Sequence, residues 1–511
     1  MRHFAWVVGL AIVLYGGSFI YRTSFVIEGR RYFCLFDDAM ISMRYAANWA
    51  AGEGLVWNAG ERVEGYTNFL WTMVMGAAHL LPLRPEQVCL LIQILGVGVL
   101  VGCMAATVML ARACRLTPGA ACCAVALAAA QWNLNFFTLM GMETGLLTLV
   151  VTLALRDCVL GLRRGEGRIA PALWFGLGLL IRPDATIAFG FAMLVLLIWG
   201  VRNRWRTVLG LAIAGAVLGA HVLWRHHYYG EWLPNTYYLK ATGWPLAERF
   251  PAGLRTTGWT AVALGLPLLL AFGALIRPRK WQLLLGGAFV LSVVYQTYVG
   301  GDAWPKHYRF VLPTSIGLMV LAAYGMDQLI RLVRRPEVAA KARFGLTFVA
   351  IIAVNAIHLD HWLLREPPLG AVANRTSVEY ALAANRVAGP EATAAVTWAG
   401  AFPYYWGGRC YDMLGKSDAH IARLRARPEM PLAGHNKFDP KYTIEQQRPD
   451  LVVDGIRLMP VEFYDLYYPI KVVVGQDQLM FSVRRGSSAV SGGKPIAWDE
   501  GRQIFESTPR M

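Results

Sequence analysis

Charge is scarce in this chain. Of its 511 residues only 16% are Asp, Glu, Lys or Arg, and 56% are hydrophobic. That balance excludes an ordinary soluble domain. The signatures of nucleotide, hydride and peptide chemistry are missing too. There is no Walker loop, no glycine-rich dinucleotide fingerprint, no HExxH and no GxSxG, so neither a nucleotide-driven enzyme nor a zinc or serine hydrolase is supported. The eight cysteines form no CxxC and no Cys/His zinc spacing. No internal repeat is visible, which argues against the repeated halves of a transporter or lipid flippase.

What is abundant is long apolar sequence. Runs able to cross ~30 Å of hydrocarbon occur at roughly 4–21, 88–111, 119–136, 144–162, 184–200, 207–224, 258–276, 281–299, 309–330 and 344–358. A shorter run at 169–181 is expected to span as well, and 67–81 is ambiguous. Met1 to Tyr21 lacks a clean cleavage site and reads as an uncleaved first span. The net charge of +16 lies in short loops between the runs, where it sets topology against anionic lipid instead of binding nucleic acid.

The positive-inside rule then fixes the sides. It places Arg112/Arg115, Arg156/Arg163/Arg164/Arg168, Arg202/Arg204/Arg206, Arg277/Arg279/Lys280 and Arg331/Arg334/Arg335/Lys341/Arg343 in the cytoplasm with the N-terminus. Parity requires 67–81 to be re-entrant or surface-lying, leaving about 11 spans. Loops 22–66, 132–143, the turn around Arg182–Asp184, 225–257 and 300–308 fall outside with everything after about 359. These outside segments carry nearly all the unusual polar chemistry.

The expected fold is a polytopic α-helical membrane protein with a C-terminal extracytoplasmic α/β domain. Residues 1–359 form the transmembrane catalytic domain, with 22–66 its first outside loop, and 360–511 form the soluble domain. The Ser-, Gly- and Pro-rich tail after Gly486 reads as loosely ordered. Cys34 and Cys410 both fall outside, so a disulfide between them is open.

The candidate chemistry starts with Asp37 and Asp38, at the lip of the first span. Ionisable groups beside a bilayer are costly to desolvate and are kept for function or tightly paired. Asp38 to Ala50 reads as an amphipathic helix, with Arg44 and Asn48 on its polar side. One reading makes one Asp a helix cap and pairs the other with Arg44. The other makes one carboxylate the base that deprotonates an acceptor hydroxyl. Glu64, Tyr66 and Asn68 follow in the same loop as sugar- or acceptor-binding candidates.

Glu143, in GMETG, is a third carboxylate at an outside mouth. It reads either as a helix-start residue satisfying the dipole or as part of an oxygen cluster with Asp37 and Asp38 that would suit Mg²⁺ or Mn²⁺. In LIRPDA, Arg182 and Asp184 flank a helix-breaking Pro183. They form an internal ion pair on one reading and a phosphate site at Arg182 on the other. The stretch His226 to Lys240 offers Trp232, Asn235 and Lys240 as a sugar-binding surface or an interfacial aromatic belt. Tyr298 to Pro313 brings Asp302 to Lys306, His307 and Arg309, three cations suited to a lipid-linked phosphate, or snorkelling anchors. In the outer domain, His435 lies in a turn-rich stretch able to close over the ledge, as do Asp412, Asp418 and Lys437.

The ordered set DD, NAGERVEGYTNFLW (Asn58 to Trp71), METG, RPD, WLPNTYYLK and GGDAW resembles the glycosyltransferase C superfamily. The nearest branch is that of the terminal β-(1→2)-arabinofuranosyltransferases and their proteobacterial relatives. The resemblance implies a polyprenyl-phosphate-linked sugar as donor, D-arabinofuranose first, with mannose, aminoarabinose or another hexose as alternative. It implies a glycan or pilin-like protein acceptor, and a place in the bacterial inner membrane with the active site on the periplasmic side. Asp37, Asp38 and Glu143 then take the catalytic or metal-ligand roles. Lys306, His307 and Arg309, with Arg182 or Lys240, hold the phosphate. A transporter is the rival function from another class.

Overall fold

The computed structural model describes residues 2–200, 202–275, 278–427, 429–430 and 432–507. Met1, Arg277 of the cytoplasmic clusters, and tail residues 508–511 lie outside the described residues. The chain divides into two compact units: Met1–Phe19, Ile94–Arg225 and Leu246–Glu366 form one, and Ile20–Gln93, His226–Pro245 and Pro367–Met511 the other. The first outside loop and the stretch after His226 thus group with the C-terminal residues.

The first unit is helical. Among the described residues six helices of the chain are long and apolar enough to cross a membrane, or eight if two bent pairs each count as one span. The expectation of eleven is therefore not reached on length and composition. Two apolar runs are broken, Pro118–Ala129 from Trp132–Leu139 by 51° and Leu246–Ala263 from Gly265–Ala274 by 76°. Ala170–Ile181 and Pro183–Trp199 are apolar but short. Lys280–Tyr298 carries polar groups inside the fold. Gln282 donates to the Ala274 carbonyl at 2.7 Å and Gln296 to Thr260 Oγ1 at 2.9 Å, which is how amides at this depth are satisfied.

In the second unit, the segment 67–81 forms a helix over Phe69–His79, eleven residues. At 1.5 Å per residue it reaches only about 16 Å, half a bilayer core.

The second unit is built on a six-stranded sheet. Its strand order is Arg409–Asp412, Thr393–Val396, Leu451–Val452, Asp477–Arg484, Tyr467–Val474 and Lys494–Pro495. The first three strands are parallel and the rest antiparallel. The tail is not loose up to Ser507. Lys494 pairs with Lys471, and the helix Trp498–Ser507 buries Gly501 and Ile504. Ile504 joins Ala395, Met413, Val452, Phe463 and Met480 in one core. An apolar stripe on an otherwise polar helix is enough to order it. Cys34 and Cys410 are both buried free thiols, so the open disulfide is absent.

Candidate active site

The helix Asp37–Ala50 opens with its two carboxylates in the first turn, where the helix dipole favours negative charge. The residue at the cap position is Phe36. Arg44, expected on a polar face, is only 5% exposed and pairs with no carboxylate. Its guanidinium donates to the Trp57 carbonyl at 2.5 Å, the Asn58 side chain at 3.0 Å, the Gly408 carbonyl at 2.8 Å and the Pro403 carbonyl. The pairing of one Asp with Arg44 is therefore not what forms. Residues Ala39 to Ala46 are buried without a break, so the helix is enclosed and not merely amphipathic.

Asp37 Oδ1 accepts the peptide N–H of Gly400 at 3.1 Å and of Ala401 at 3.3 Å. Asp37 Oδ2 is out of contact with solvent and has no hydrogen-bond partner. Burial raises this carboxyl to about 6, with Asp38 adding to the rise. The ammonium of Lys416 and the two peptide N–H groups pull against it. A carboxylate held near neutrality with an open oxygen is suited to accept a proton.

Lys416 bears on Asp37, and His435 in turn is coupled to Lys416, Asp38 and Lys240. Lys416 is 5% exposed, its Nζ without a hydrogen-bond partner, and it faces the Trp398 ring at 5.7 Å. His435 packs against Trp398 at 5.9 Å. Burial, then the charge of Lys416, push His435 down to about 3, against the pull of Asp38, so this imidazole is neutral at physiological pH. Lys240 lies beside Gly434 and is coupled to His435. Lys437, by contrast, donates to the carbonyls of Tyr238 and Ala422 at 2.8 Å each, a structural clasp.

The neighbouring loop is fixed by Tyr45, whose hydroxyl donates to the Val63 carbonyl at 2.6 Å and accepts from the Gly65 N–H at 2.8 Å. Glu64 is 5% exposed. Its charge, after burial, helps raise the phenol of Tyr66, which meets Tyr229 at 3.1 Å. The Asn68 side chain accepts from Ser42 at 3.0 Å and Thr72 at 3.1 Å. Asn235 donates to the carbonyls of Gly415, Lys416 and Asp418 at 2.9, 3.0 and 3.2 Å. Both amides hold backbone or helix in place. Trp232 is 55% exposed and stacks on His226 at 3.9 Å.

The remaining candidates belong to the first unit. Arg182 donates to Glu143 at 2.6 Å and grips Asp184 through two nitrogens at 2.8 and 3.0 Å. The kink after Pro183 is thus locked by an ion-pair triad. Arg309 pairs with Asp302 at 3.0 Å, both side chains 6% exposed, and lies by the Phe137 and Phe310 rings. Tyr308, between them in sequence, is buried at φ 31°, a left-handed conformation that strains a tyrosine. His307 packs among Phe136, Phe137, Trp304 and His358. Lys306 is exposed over the Trp259 ring at 5.0 Å.

Among the described residues no three His, Cys, Asp or Glu side chains converge into a group able to hold a metal.

Sequence reasoning did not single out Lys416, Trp398 or Gly400. All three lie in or beside stretches already marked by their turn glycines. Nothing local in GKSD distinguishes a buried lysine from a solvated one.

Comparison with known proteins bears on the whole chain. It shares its fold with ArnT from Cupriavidus metallidurans in the apo state, at a TM-score of 0.61 and 13% identity over 97% of this chain and 100% of that one. The same protein bound to undecaprenyl phosphate gives 0.57 at 12% identity, covering 96% and 98%. An Archaeoglobus fulgidus oligosaccharyltransferase tethered to an acceptor peptide gives 0.52 at 10% identity, covering 96% and 76%. The fold is the one these proteins share. It is that of a multi-pass helical membrane protein with a C-terminal sheet domain.

In sequence, the chain is 31% identical over 353 residues to a terminal β-(1→2)-arabinofuranosyltransferase of Corynebacterium glutamicum, covering 58% of this chain and 50% of that protein. It is 30% identical over 217 residues to the enzyme of that name from Mycobacterium tuberculosis, covering 39% and 34%. The chain thus spans about half the length of the first relative and a third of the second. Residues 370–490 match a domain of unknown function, DUF8728.

Proposed function

We propose that this chain is a membrane glycosyltransferase that moves a sugar from a polyprenyl-phosphate donor to a glycan or protein acceptor. The first choice of sugar is D-arabinofuranose, supported by the two arabinofuranosyltransferase relatives. Aminoarabinose, mannose or another hexose is the alternative. The lipid carrier is supported by the fold shared with a protein that binds undecaprenyl phosphate. The work is assigned to the outer face of a bacterial inner membrane, where the arginine-rich loops put the polar motifs.

The observation that carries the reading is the carboxylate of Asp37, open at Oδ2 and raised towards neutrality. In the reaction, the acceptor O–H gives its proton to this oxygen. The acceptor oxygen forms a bond to the anomeric carbon. The bond from that carbon to the phosphate oxygen breaks, and the lipid phosphate leaves with the electron pair. Asp38 tunes the base through its charge. Lys306, exposed over the Trp259 ring, and Lys240, beside Gly434, are proposed as cations that meet the donor phosphate. Glu64, Tyr66, Trp232, Asp302 and His435 are proposed for sugar and acceptor. Arg182 and Arg309, with Glu143, act through the ion pairs they make. His307 acts through its aromatic packing.

The deciding experiment incubates purified protein with a panel of synthetic polyprenyl-phospho-sugars and an arabinan oligosaccharide. Transfer is expected from the arabinofuranosyl donor. Turnover of no donor in the panel by folded protein rejects the reading.

A further inference from the structure

Lys416 is a built feature that the reaction so far leaves unused. Its backbone is pinned from several sides. The carboxylate of Asp412 accepts the N–H groups of Leu414, Gly415 and Ser417 at 3.0, 3.1 and 2.7 Å. The Asn235 amide holds the Lys416 carbonyl. A Cβ at Gly65 would stand 2.9 Å from that same carbonyl and 2.5 Å from Ser417 Oγ. The lysine is therefore presented, not trailing.

Its ammonium is nevertheless unsatisfied. A buried cation normally finds acceptors or a counter-charge in contact. Arg44 and Lys437 of the same unit do so, through four and two acceptors. Lys416 Nζ has none, and its neighbour Asp37 Oδ2 also has none. The two charges feel each other but do not bond. A buried ammonium and a buried carboxylate oxygen, both open, are what a ligand with an anion and a hydroxyl would fill. The anion of a glycosyl phosphate and the hydroxyl of its acceptor are such a pair.

We propose that Lys416 binds the phosphate of the lipid-linked donor and neutralises it as the glycosyl–oxygen bond breaks. This rests on the transferase reading given above. The charges bearing on Asp37 from the packed elements are Lys416 and Asp38, with the Cys34 thiol beside them. His435 and Lys240 act on the same corner.

The test uses full-length protein in nanodiscs and measures binding of undecaprenyl phosphate, without sugar, to wild type, Lys416→Met, Lys416→Arg and Asp37→Asn. Lys416→Met is expected to weaken binding at least tenfold, with Lys416→Arg restoring most of it and Asp37→Asn, which removes a negative charge near the anion, binding at least as tightly as wild type. Methionine fills a similar volume and removes an unpaired charge, so Lys416→Met should melt no lower than wild type. Competition by inorganic phosphate separates recognition of the anion from recognition of the prenyl chain. Displacement of the lipid by phosphate from wild type supports the anion site. Wild-type affinity in a folded Lys416→Met overturns the proposal, and a shift of the acid limb of the pH–rate profile alone would reduce Lys416 to a counter-charge for Asp37. If wild type transfers no sugar, the transferase reading falls by itself. Binding of inorganic phosphate that Lys416→Met loses would then still uphold the anion site, and its absence in wild type would reject it.

Discussion

Gly400 and Asp37 are in direct backbone contact. A Cβ built on Gly400 would stand 2.2 Å from the Asp37 carbonyl oxygen and 2.4 Å from its Oδ1, while the Gly400 N–H donates to that Oδ1 at 3.1 Å. The short helix Ala401–Trp406 and the start of Asp37–Ala50 are thus joined at a point with no room for a side chain. Gly400→Ala is expected to push the two apart. A loss of about 1–3 kcal/mol follows from such overpacking, and roughly a hundredfold loss of transfer follows from an ångström of misplacement. Thermal melting and steady-state rates check it, and an unchanged Tm with normal turnover would contradict it.

Asp37→Asn should lower kcat by roughly 10²–10⁴, the usual contribution of a general base, while leaving the protein folded. The pH dependence has a definite sign. With the carboxyl raised from 3.8 to about 6, wild-type activity should rise with pH through about 6 as the base ionises. The same shift means that protonation favours the folded state. The ionised group therefore detracts from stability above pH 6, by at most about 3 kcal/mol, and this loss fades as pH falls towards 4. Asparagine removes it, so the variant should melt higher than wild type at pH 7 and no higher at pH 4. Near-normal turnover in both Asp37→Asn and Asp38→Asn would end the base assignment.

Arg182→Ala removes the common partner of Glu143 and Asp184. Breaking a buried ion pair from one side costs about 3–5 kcal/mol, so expression and Tm should fall sharply. A second change, Glu143→Gln, should recover part of the loss. A normal Tm with a raised donor KM would instead return Arg182 to the phosphate.

Lys306 and Arg309 should behave differently although three residues apart in sequence. Arg309→Ala strands buried Asp302 and is expected to destabilise. Lys306→Ala removes an exposed ammonium over an aromatic ring, worth about 0.5–1 kcal/mol at such a site, and should spare Tm while raising donor KM several-fold. Equal effects of the two changes on stability would contradict the difference in their environments.

Much of the fold was legible because hydrophobic length is a strong signal. The segment 67–81 is helical only over Phe69–His79, eleven residues. The eleven-span count exceeded what length supports because run length does not reveal the bends after Ala129 and Ala263. The tail was misread because Ser, Gly and Pro after Gly486 masked the apolar stripe of Trp498–Ser507. In the candidate site, the Asp pair and His435 were visible as polar residues in unusual company. The partners of Arg44 at Pro403 and Gly408 were not, because a separation of some 360 residues leaves no periodic trace. Lys416 was hidden for the same reason: its burial is set by Gly65, Asn235 and Trp398, which only the fold assembles.

The grip of Asn235 on the carbonyls of Gly415, Lys416 and Asp418 has an evolutionary corollary. One amide in WLPN and the turn ending in GKSD form a lock and its keyway, so neither can drift without the other. Lineages that lose the asparagine should also show a rebuilt or lysine-free turn, and grafting either motif alone into a homologue should fail where exchanging both succeeds.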